Sequence, residues 1–184
     1  MKRNKELSNK EQTKETANNK TVSKSMGSKQ KANVADIILR YPYYFIGILA
    51  FVVYFQSVFF GFVKLDDIPI IVNKFEYFKD ISNIFDAFSK DAFINEIGNF
   101  YRPLQTVSFI FDSQIGGGSP WIYHLINILL HIISCLLIFK MFEKLKYAKT
   151  SSIVAVSIFA VHPLFTHGVC WIPSRNDLLI TVFC

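Results

Sequence analysis

Apolar runs alternate with polar segments along the chain. The first run, Tyr41 to Val63, has 23 residues without a charged side chain, enough to cross a bilayer. A second run covers residues 121–139. A third covers 151–172 and contains Pro163, which is expected to kink or end its helix. A last run, 178–184, is too short to cross. The pattern predicts an all-α multi-pass membrane protein, with the sequence truncated within a fourth span.

The charges are distributed unevenly around these runs. Residues 1–40 hold ten Lys or Arg and four Asp or Glu, and residues 140–149 hold four Lys and one Glu. The loop at 64–120 instead has five basic and eight acidic residues. Basic segments favour the cytoplasmic side, so we predict a disordered basic cytoplasmic tail at 1–40 and an extracytoplasmic loop at 64–120. Residues 41–184 hold ten basic and ten acidic residues, so the net positive charge lies in the tail; membrane lipid is therefore an expected partner and nucleic acid is not.

Two amphipathic helices are predicted within the 64–120 loop. The first begins at Asp80 and has one apolar face, made of Ile81, Ile84, Phe85, Phe88 and Ala92. It is interpreted as a helix on the membrane surface, or alternatively as one packed on a small extracellular domain. The second begins at Pro103, reaches Asp112 and ends before a hinge at 116–120.

The second span carries a polar stripe. Four polar residues are spaced by 3, 4 and 3 positions, which places them on one helix face: His124, Asn127, His131 and Ser134. Such a stripe should face protein or a water-filled cavity. Hydrogen bonds between helices are the preferred explanation for Asn127 and Ser134. His124, predicted at the depth of Asp66 and Asp67, has the stronger claim to a functional role.

Asp66 and Asp67 follow the first span directly, at the predicted mouth of the membrane. Anchoring needs no carboxylates there, so they indicate a functional site, although a solvated acidic turn explains them equally well. Asp66, nearer the span, is the better candidate for a general base, with Asp67 in a supporting role. Arg102, the loop's only arginine, could grip a phosphate or pair with a loop carboxylate.

Metal binding stays open at the level of sequence. The acidic pair with His124, His162 and His167 could hold a divalent cation, but hydrogen bonds between helices account for the histidines as well. The three cysteines form no CxxC pair, so neither a zinc ribbon nor a disulfide framework is indicated.

Several short motifs occur in a recognisable order. They are Phe62-Val63 with Asp66-Asp67, Tyr101-Arg102-Pro103-Leu104 with Asp112, Pro120-Trp121 with His124, Asn127 and His131, Phe159-Ala160-Val161-His162-Pro163, and Trp171-Ile172 with Arg175-Asn176-Asp177. Together they resemble the amino-terminal part of the multi-spanning O-mannosyltransferases that carry tetratricopeptide repeats, bacterial relatives included. The chain departs from that pattern at Phe165, where a His is expected, and at His167, where an acidic residue is expected.

The resemblance implies a GT-C-like module over residues 41–184, which transfers a sugar, mannose above all, from a polyprenyl-phosphate carrier to a protein hydroxyl. The implied partners are therefore a lipid-linked sugar donor and a protein acceptor. Implied roles are catalysis for Asp66 and Asp67, donor phosphate binding for Arg102, Arg175 and His124, and structural support for Asn127, His131, His162 and Pro163.

The resemblance also implies a bacterial plasma membrane location, or alternatively the endoplasmic reticulum membrane, with the N-terminus cytoplasmic. Later spans and repeats are missing from this length, so it is expected to be inactive alone. The alternative to an enzyme is a non-catalytic membrane scaffold or the remnant of a split gene. Its polar stripe would then serve only to assemble helices.

Overall fold

The structure is a computed structural model that describes residues 33–94 and 100–184 of the 184-residue chain. Most of the predicted disordered tail lies outside these ranges, but the last seven residues of that tail form helix α1, Val34–Arg40. The described residues contain helices and turns and no strand, which confirms the all-α class.

Nine further α-helices follow within the described residues. The long ones are α2 (Pro42–Tyr54), α6 (Pro103–Gly116), α7 (Pro120–Lys144), α8 (Lys149–Val161) and α10 (Arg175–Phe183). The short ones are α3 (Asp67–Ile70), α4 (Phe75–Lys79), α5 (Asn83–Asp86) and α9 (Thr166–Cys170). Helix α7 lies at the centre, because α2, α6, α8, α9 and α10 all contact it.

Two stretches of the described chain are long and apolar enough to cross a membrane, Pro42–Phe59 and Pro120–Lys144. The first is shorter than the predicted 41–63, because α2 tightens into a 3-10 helix at Phe55–Phe59 and Phe60 is extended. The Ser57 hydroxyl donates to the Tyr54 carbonyl at 2.8 Å within that turn. The second is longer than the predicted 121–139, and its 25 residues make a helix of roughly 37 Å at 1.5 Å per residue.

The predicted third span is broken. Helix α8 ends at Val161, and Pro163 begins a 3-10 turn that leads into α9, with a bend of 46° between the two parts. The proline lacks an N–H and its ring crowds the preceding turn, so a continuous helix is unfavourable there. This confirms the predicted effect of Pro163. If the bent pair of α8 and the segment after Pro163 counts as one span, the described residues contain up to three membrane spans.

Close packing joins α2, α7 and α8. Their shared core consists of Ile46, Ala50, Cys135, Phe139, Ile153, Val156 and Ala160. Lipid is as apolar as these side chains, so their association depends on close contact, which small residues allow. Ala50 and Ala160 are fully buried, and a methyl group added at Gly47 would lie 3.7 Å from Ile132.

The loop between α2 and α7 folds differently from the prediction in one place. The helix predicted from Asp80 to Ala92 is only a four-residue α5, preceded by a turn in which the Ser82 N–H donates to the Asp80 carboxylate at 2.9 Å. That bond turns the chain at Asp80 and does not start a long helix. Phe85, on the predicted apolar face, is 85% exposed.

The second loop helix confirms its predicted start. Helix α6 begins at Pro103, where a missing N–H is tolerated, and continues four residues past the predicted end at Asp112. It stops because Gly117 takes a left-handed conformation with φ of 58° and donates its N–H to the Ser113 carbonyl.

Candidate functional site

A cavity of about 290 Å³ lies where the loop meets the end of the bundle. Segments that are distant in the sequence converge on it, namely the start of α3, residues 92–93, residues 100–102 before α6, helix α9, and residues 171–177. Its polar lining consists of Asp66, Arg102, His167, Ser174, Asn176 and Asp177. Its apolar lining consists of Ile70, Ala92, Phe93, Phe100, Trp171 and Pro173.

The two adjacent carboxylates have different surroundings. Asp66 is partly exposed and lines the cavity. Asp67 is fully buried, and its carboxylate accepts the Val63 N–H at 2.7 Å. That bond closes the turn between the first span and α3, so Asp67 fixes the backbone that carries Asp66. The two carboxylates are thus placed differently, with Asp66 at the cavity and Asp67 buried behind it.

Burial raises the pKa of Asp67, and the nearby Asp66 charge raises it further, whereas the Val63 N–H lowers it. A carboxyl group whose pKa is higher in the folded than in the unfolded state takes up protons on folding, so its ionisation reduces stability as pH rises. Asp67→Asn removes that ionisable group and keeps an oxygen for Val63. We therefore expect the variant to gain stability relative to the wild type as pH rises through the pKa of Asp67. Denaturant unfolding of the purified protein at pH 4 to 8 measures this, and a difference that stays constant across the range would contradict it.

Arg102 faces the same cavity as Asp66. Its guanidinium lies over the ring of Phe100 at 5.8 Å, and it forms no hydrogen bond or ion pair with any other described side chain. The predicted alternative, pairing with a loop carboxylate, is therefore not seen in residues 33–94 and 100–184. A guanidinium that has no ion-pair partner within residues 33–94 and 100–184 and lines a cavity suits a site for an anionic ligand.

Arg175 is placed differently from Arg102. It is fully buried, absent from the cavity lining, and surrounded by protein acceptors. Its Nε donates to Asn127 at 2.7 Å, its Nη2 to the Tyr123 carbonyl at 2.8 Å, and its Nη1 to Ser108 at 3.0 Å and to the Asp112 carboxylate. This geometry does not support the predicted contact with a donor phosphate, because the charge is already neutralised by Asp112 within the protein.

The polar stripe of α7 faces protein, as predicted. His124, Asn127, His131 and Ser134 are all at most 1% exposed, while Leu129 and Ile133 on the opposite face are 42% and 43% exposed. Asn127 binds the carbonyls of Val169 and Trp171, which confirms a bond between segments. Ser134 instead donates to Leu130 within its own helix at 2.9 Å, so the predicted bond between helices is wrong there.

The histidines are dispersed around the site. His124 packs edge-on against Phe60, faces the backbone of Gly61 and Cys170, and does not line the cavity, so its predicted contact with the donor gains no support. His131 lies 3.2 Å from the Ala160 carbonyl. The exposed His162 accepts the Leu164 N–H at 3.2 Å and caps the turn at Pro163. Within the described ranges, no three His, Cys, Asp or Glu side chains are grouped for a metal ion.

A second cavity, of about 240 Å³, adjoins the first. Both are lined by His167 and Asp177, so these two side chains stand at the boundary between them. The lining of the second cavity is otherwise mainly apolar and comes from α7, α8, the turn after α8, α9 and α10: Phe159, Leu164, Phe165, Gly168 and Leu178, with His131, Ser134 and Thr181 as its polar members.

The sequence did not single out several residues that line the first cavity. Trp171, Ser174, Asn176 and Asp177 belong to it, and His167 contacts both Ser174, at 3.2 Å, and the Trp171 ring, at 4.5 Å between centroids. The sequence feature that could have indicated these cavity residues is the cluster of polar residues at 174–177, immediately before an apolar run. From the sequence, only Arg175 of this segment is assigned a binding role, and Asn176 and Asp177 occur only within a family motif.

The curated homologues of this chain are protein O-mannosyl-transferases. Protein O-mannosyl-transferase Tmtc2 of Drosophila melanogaster is 33% identical over 143 residues, which are 73% of this chain and 15% of that protein. Human protein O-mannosyl-transferase TMTC3 is 30% identical over 138 residues, 71% of this chain and 14% of that protein. Human protein O-mannosyl-transferase TMTC2 is 39% identical over 84 residues, 45% of this chain and 10% of that protein.

The chain therefore spans no more than about 15% of the length of these relatives. They are animal proteins, which gives no support to the predicted bacterial location. No protein-family model matches the chain, and no solved structure matches it.

Proposed function

We propose that the cavity is part of the reaction centre of a membrane glycosyltransferase that transfers mannose to a protein hydroxyl. The observation that carries the proposal is the convergence of Asp66 and Arg102 on one cavity at the end of the first span. A base and a cation are what transfer from a sugar phosphate requires. The homologues, named as protein O-mannosyl-transferases, support the same reaction class.

In the proposed reaction the acceptor hydroxyl oxygen forms a bond to the anomeric carbon of the mannosyl group. The bond from that carbon to the phosphate oxygen breaks, and the lipid phosphate leaves with its electron pair. Asp66 takes the hydroxyl proton, and Arg102 stabilises the negative charge that grows on the departing phosphate. No metal or cofactor is needed to balance these atoms.

We propose that the donor is a polyprenyl-phosphate sugar. The support is the pairing of a polar cavity with an adjoining, mainly apolar cavity along α7, α9 and α10, which suits a molecule with a charged head and an apolar chain. The phosphate and sugar would lie beside Arg102 and Asp66. The first isoprene units would pass His167 and Asp177 towards Phe159 and Leu164.

Arg102→Gln is expected to raise the KM for the lipid-linked donor by about 10–100-fold, since a hydrogen bond to a charged group contributes roughly 1.5–3 kcal/mol. Arg102→Lys keeps the charge but loses the two-pronged geometry, so a smaller rise is expected. Because this length is expected to be inactive alone, the measurement is transfer in membranes containing a full-length protein that carries these residues, at varied donor concentration. Lys90→Gln, which removes a cation paired with Asp86, is the control. An unchanged donor KM in Arg102→Gln would remove Arg102 from the donor site.

We propose that the N-terminus is cytoplasmic and that the 64–120 loop lies on the opposite side of the membrane. The support is the charge distribution, with basic segments before the first span and after the second. A cysteine placed at the exposed Ser89 should therefore react with an impermeant maleimide added from the side opposite the cytoplasm, and one placed at Ser23 should not. Labelling at Ser23 in sealed membranes of that orientation would invert the topology.

A further inference from the structure

The wall of the first cavity is held from behind by a buried polar network. Residues 171–177 supply five of the lining residues. The backbone of this segment is fixed by Gln105, which donates to the Pro173 carbonyl at 3.0 Å, and by Asn127, which donates to the Trp171 carbonyl at 3.4 Å. Arg175 also attaches this segment to the rest of the fold. It lies directly before Asn176 and Asp177, and it binds both α6 and α7.

Arg175 makes contacts beyond the hydrogen bonds that attach residues 171–177 to α6 and α7. Besides its four hydrogen-bond partners, its guanidinium lies 4.6 Å from the centroid of the Phe109 ring and 5.8 Å from that of Tyr123. Arg175 is fully buried, and Asp112 is 2% exposed. Burying such a pair costs desolvation energy, and apolar residues of similar volume often give equal or greater stability. The hydrogen bonds of the charged network fix the direction of its groups, whereas an apolar contact does not.

We propose that Arg175, held by Asp112 and Asn127, is a positioning residue that sets the side chains of Asn176 and Asp177 in the cavity. Its guanidinium is planar and has donors in fixed directions, so its contacts define the direction in which α10 begins as well as its distance from α6 and α7. The expected effect of this positioning on turnover rests on the proposed function. The placement of residues 171–177 at the wall of the first cavity does not depend on that function.

Two variants separate positioning from packing. Arg175→Lys keeps a positive charge beside Asp112, but a single ammonium group cannot also satisfy Asn127, Ser108 and the Tyr123 carbonyl. The double variant Asp112→Leu/Arg175→Leu removes both charges together and leaves neither buried alone. Both variants are expected to fold, and the double variant is expected to have a melting temperature close to that of the wild type.

In the transfer assay, we expect both variants to lower kcat by about 10–100-fold, because a shift of about 1 Å in a positioning group can cost 10²-fold. The donor KM should change by less than about threefold, since Arg102, the residue proposed to bind the donor phosphate, lies outside residues 171–177 and is retained. Glu76→Gln, which breaks the exposed pair with Lys79, is the matched control and should leave both constants unchanged. A folded double variant with wild-type kcat would overturn the proposal.

A second readout does not depend on the reaction. In a background where Cys135, Cys170 and Cys184 are replaced, Asn176→Cys is labelled with a soluble methanethiosulfonate, and the rate is compared with and without Arg175→Lys or the double replacement. We expect the rate to change at least fivefold in both. Transfer is measured in a full-length protein that contains these residues, and absence of transfer there would contradict the proposed function, whereas the labelling rates still decide this inference. Equal rates in folded variants would overturn it.

Discussion

Asp66→Asn is expected to lower mannosyl transfer by about 10²–10⁴-fold, the usual contribution of a general base. The substitution keeps the volume of the side chain and removes its basicity. Asp66 lines the cavity, and its carboxylate forms no hydrogen bond with the other described residues, so no structural contact is lost with the charge. Donor binding should therefore be retained. The measurement is kcat and donor KM in membranes that contain the variant at wild-type abundance.

Asp67→Asn is the matched comparison for that result. The Asn oxygen can still accept the Val63 N–H, so the turn that carries Asp66 should persist and transfer should fall by much less. A larger loss of kcat in Asp67→Asn than in Asp66→Asn would reverse the roles assigned to the two carboxylates.

Asp112→Leu alone is expected to destabilise the protein by about 3–5 kcal/mol, because removing one member of a buried pair leaves the other charge without compensation. Arg175 is fully buried, so its guanidinium would keep only neutral acceptors from Ser108, Asn127 and Tyr123. Burial raises the pKa of Asp112, and the Arg175 charge and hydrogen bond oppose that rise.

The corresponding measurement is denaturant unfolding of the purified protein in mild detergent. Asp112→Leu/Arg175→Leu should recover most of the stability that the single variant loses. Glu76→Gln at the exposed pair should have no measurable effect, since surface ion pairs contribute little. A single Asp112→Leu variant as stable as the wild type would show that the charge of Arg175 needs no partner.

Features of the fold could be predicted where one local rule decides the outcome. Pro163 interrupts its helix because it lacks an N–H, and Pro103 starts one for the same reason. The stripe of α7 faces protein because polar groups avoid lipid, and a spacing of 3, 4 and 3 places all four residues on one face. Each of these outcomes depends on one residue or one helix.

Other features depended on partners that a sequence does not reveal. Charge and motif linked Arg175 with a phosphate, but Asp112 lies 63 positions earlier and reaches Arg175 only through the packing of α6 on α7. The helix predicted from Asp80 failed because the short-range bond to Ser82 competes with helix formation. The full burial of Asp67 depends on the end of the first span at Phe59, after which the chain turns and covers this side chain.

The measurement that tests the central claim most directly is single-turnover transfer by the variant Asp66→Asn/Asp67→Asn, with donor binding measured in the same membranes. The donor should still bind, with an affinity within about threefold of the wild type, because Arg102 is unchanged. Transfer should fall by at least about 10²-fold, because no base remains to take the proton of the acceptor hydroxyl. Transfer at the wild-type rate in this double variant would contradict the catalytic role of Asp66 and leave the acidic turn with a structural role only.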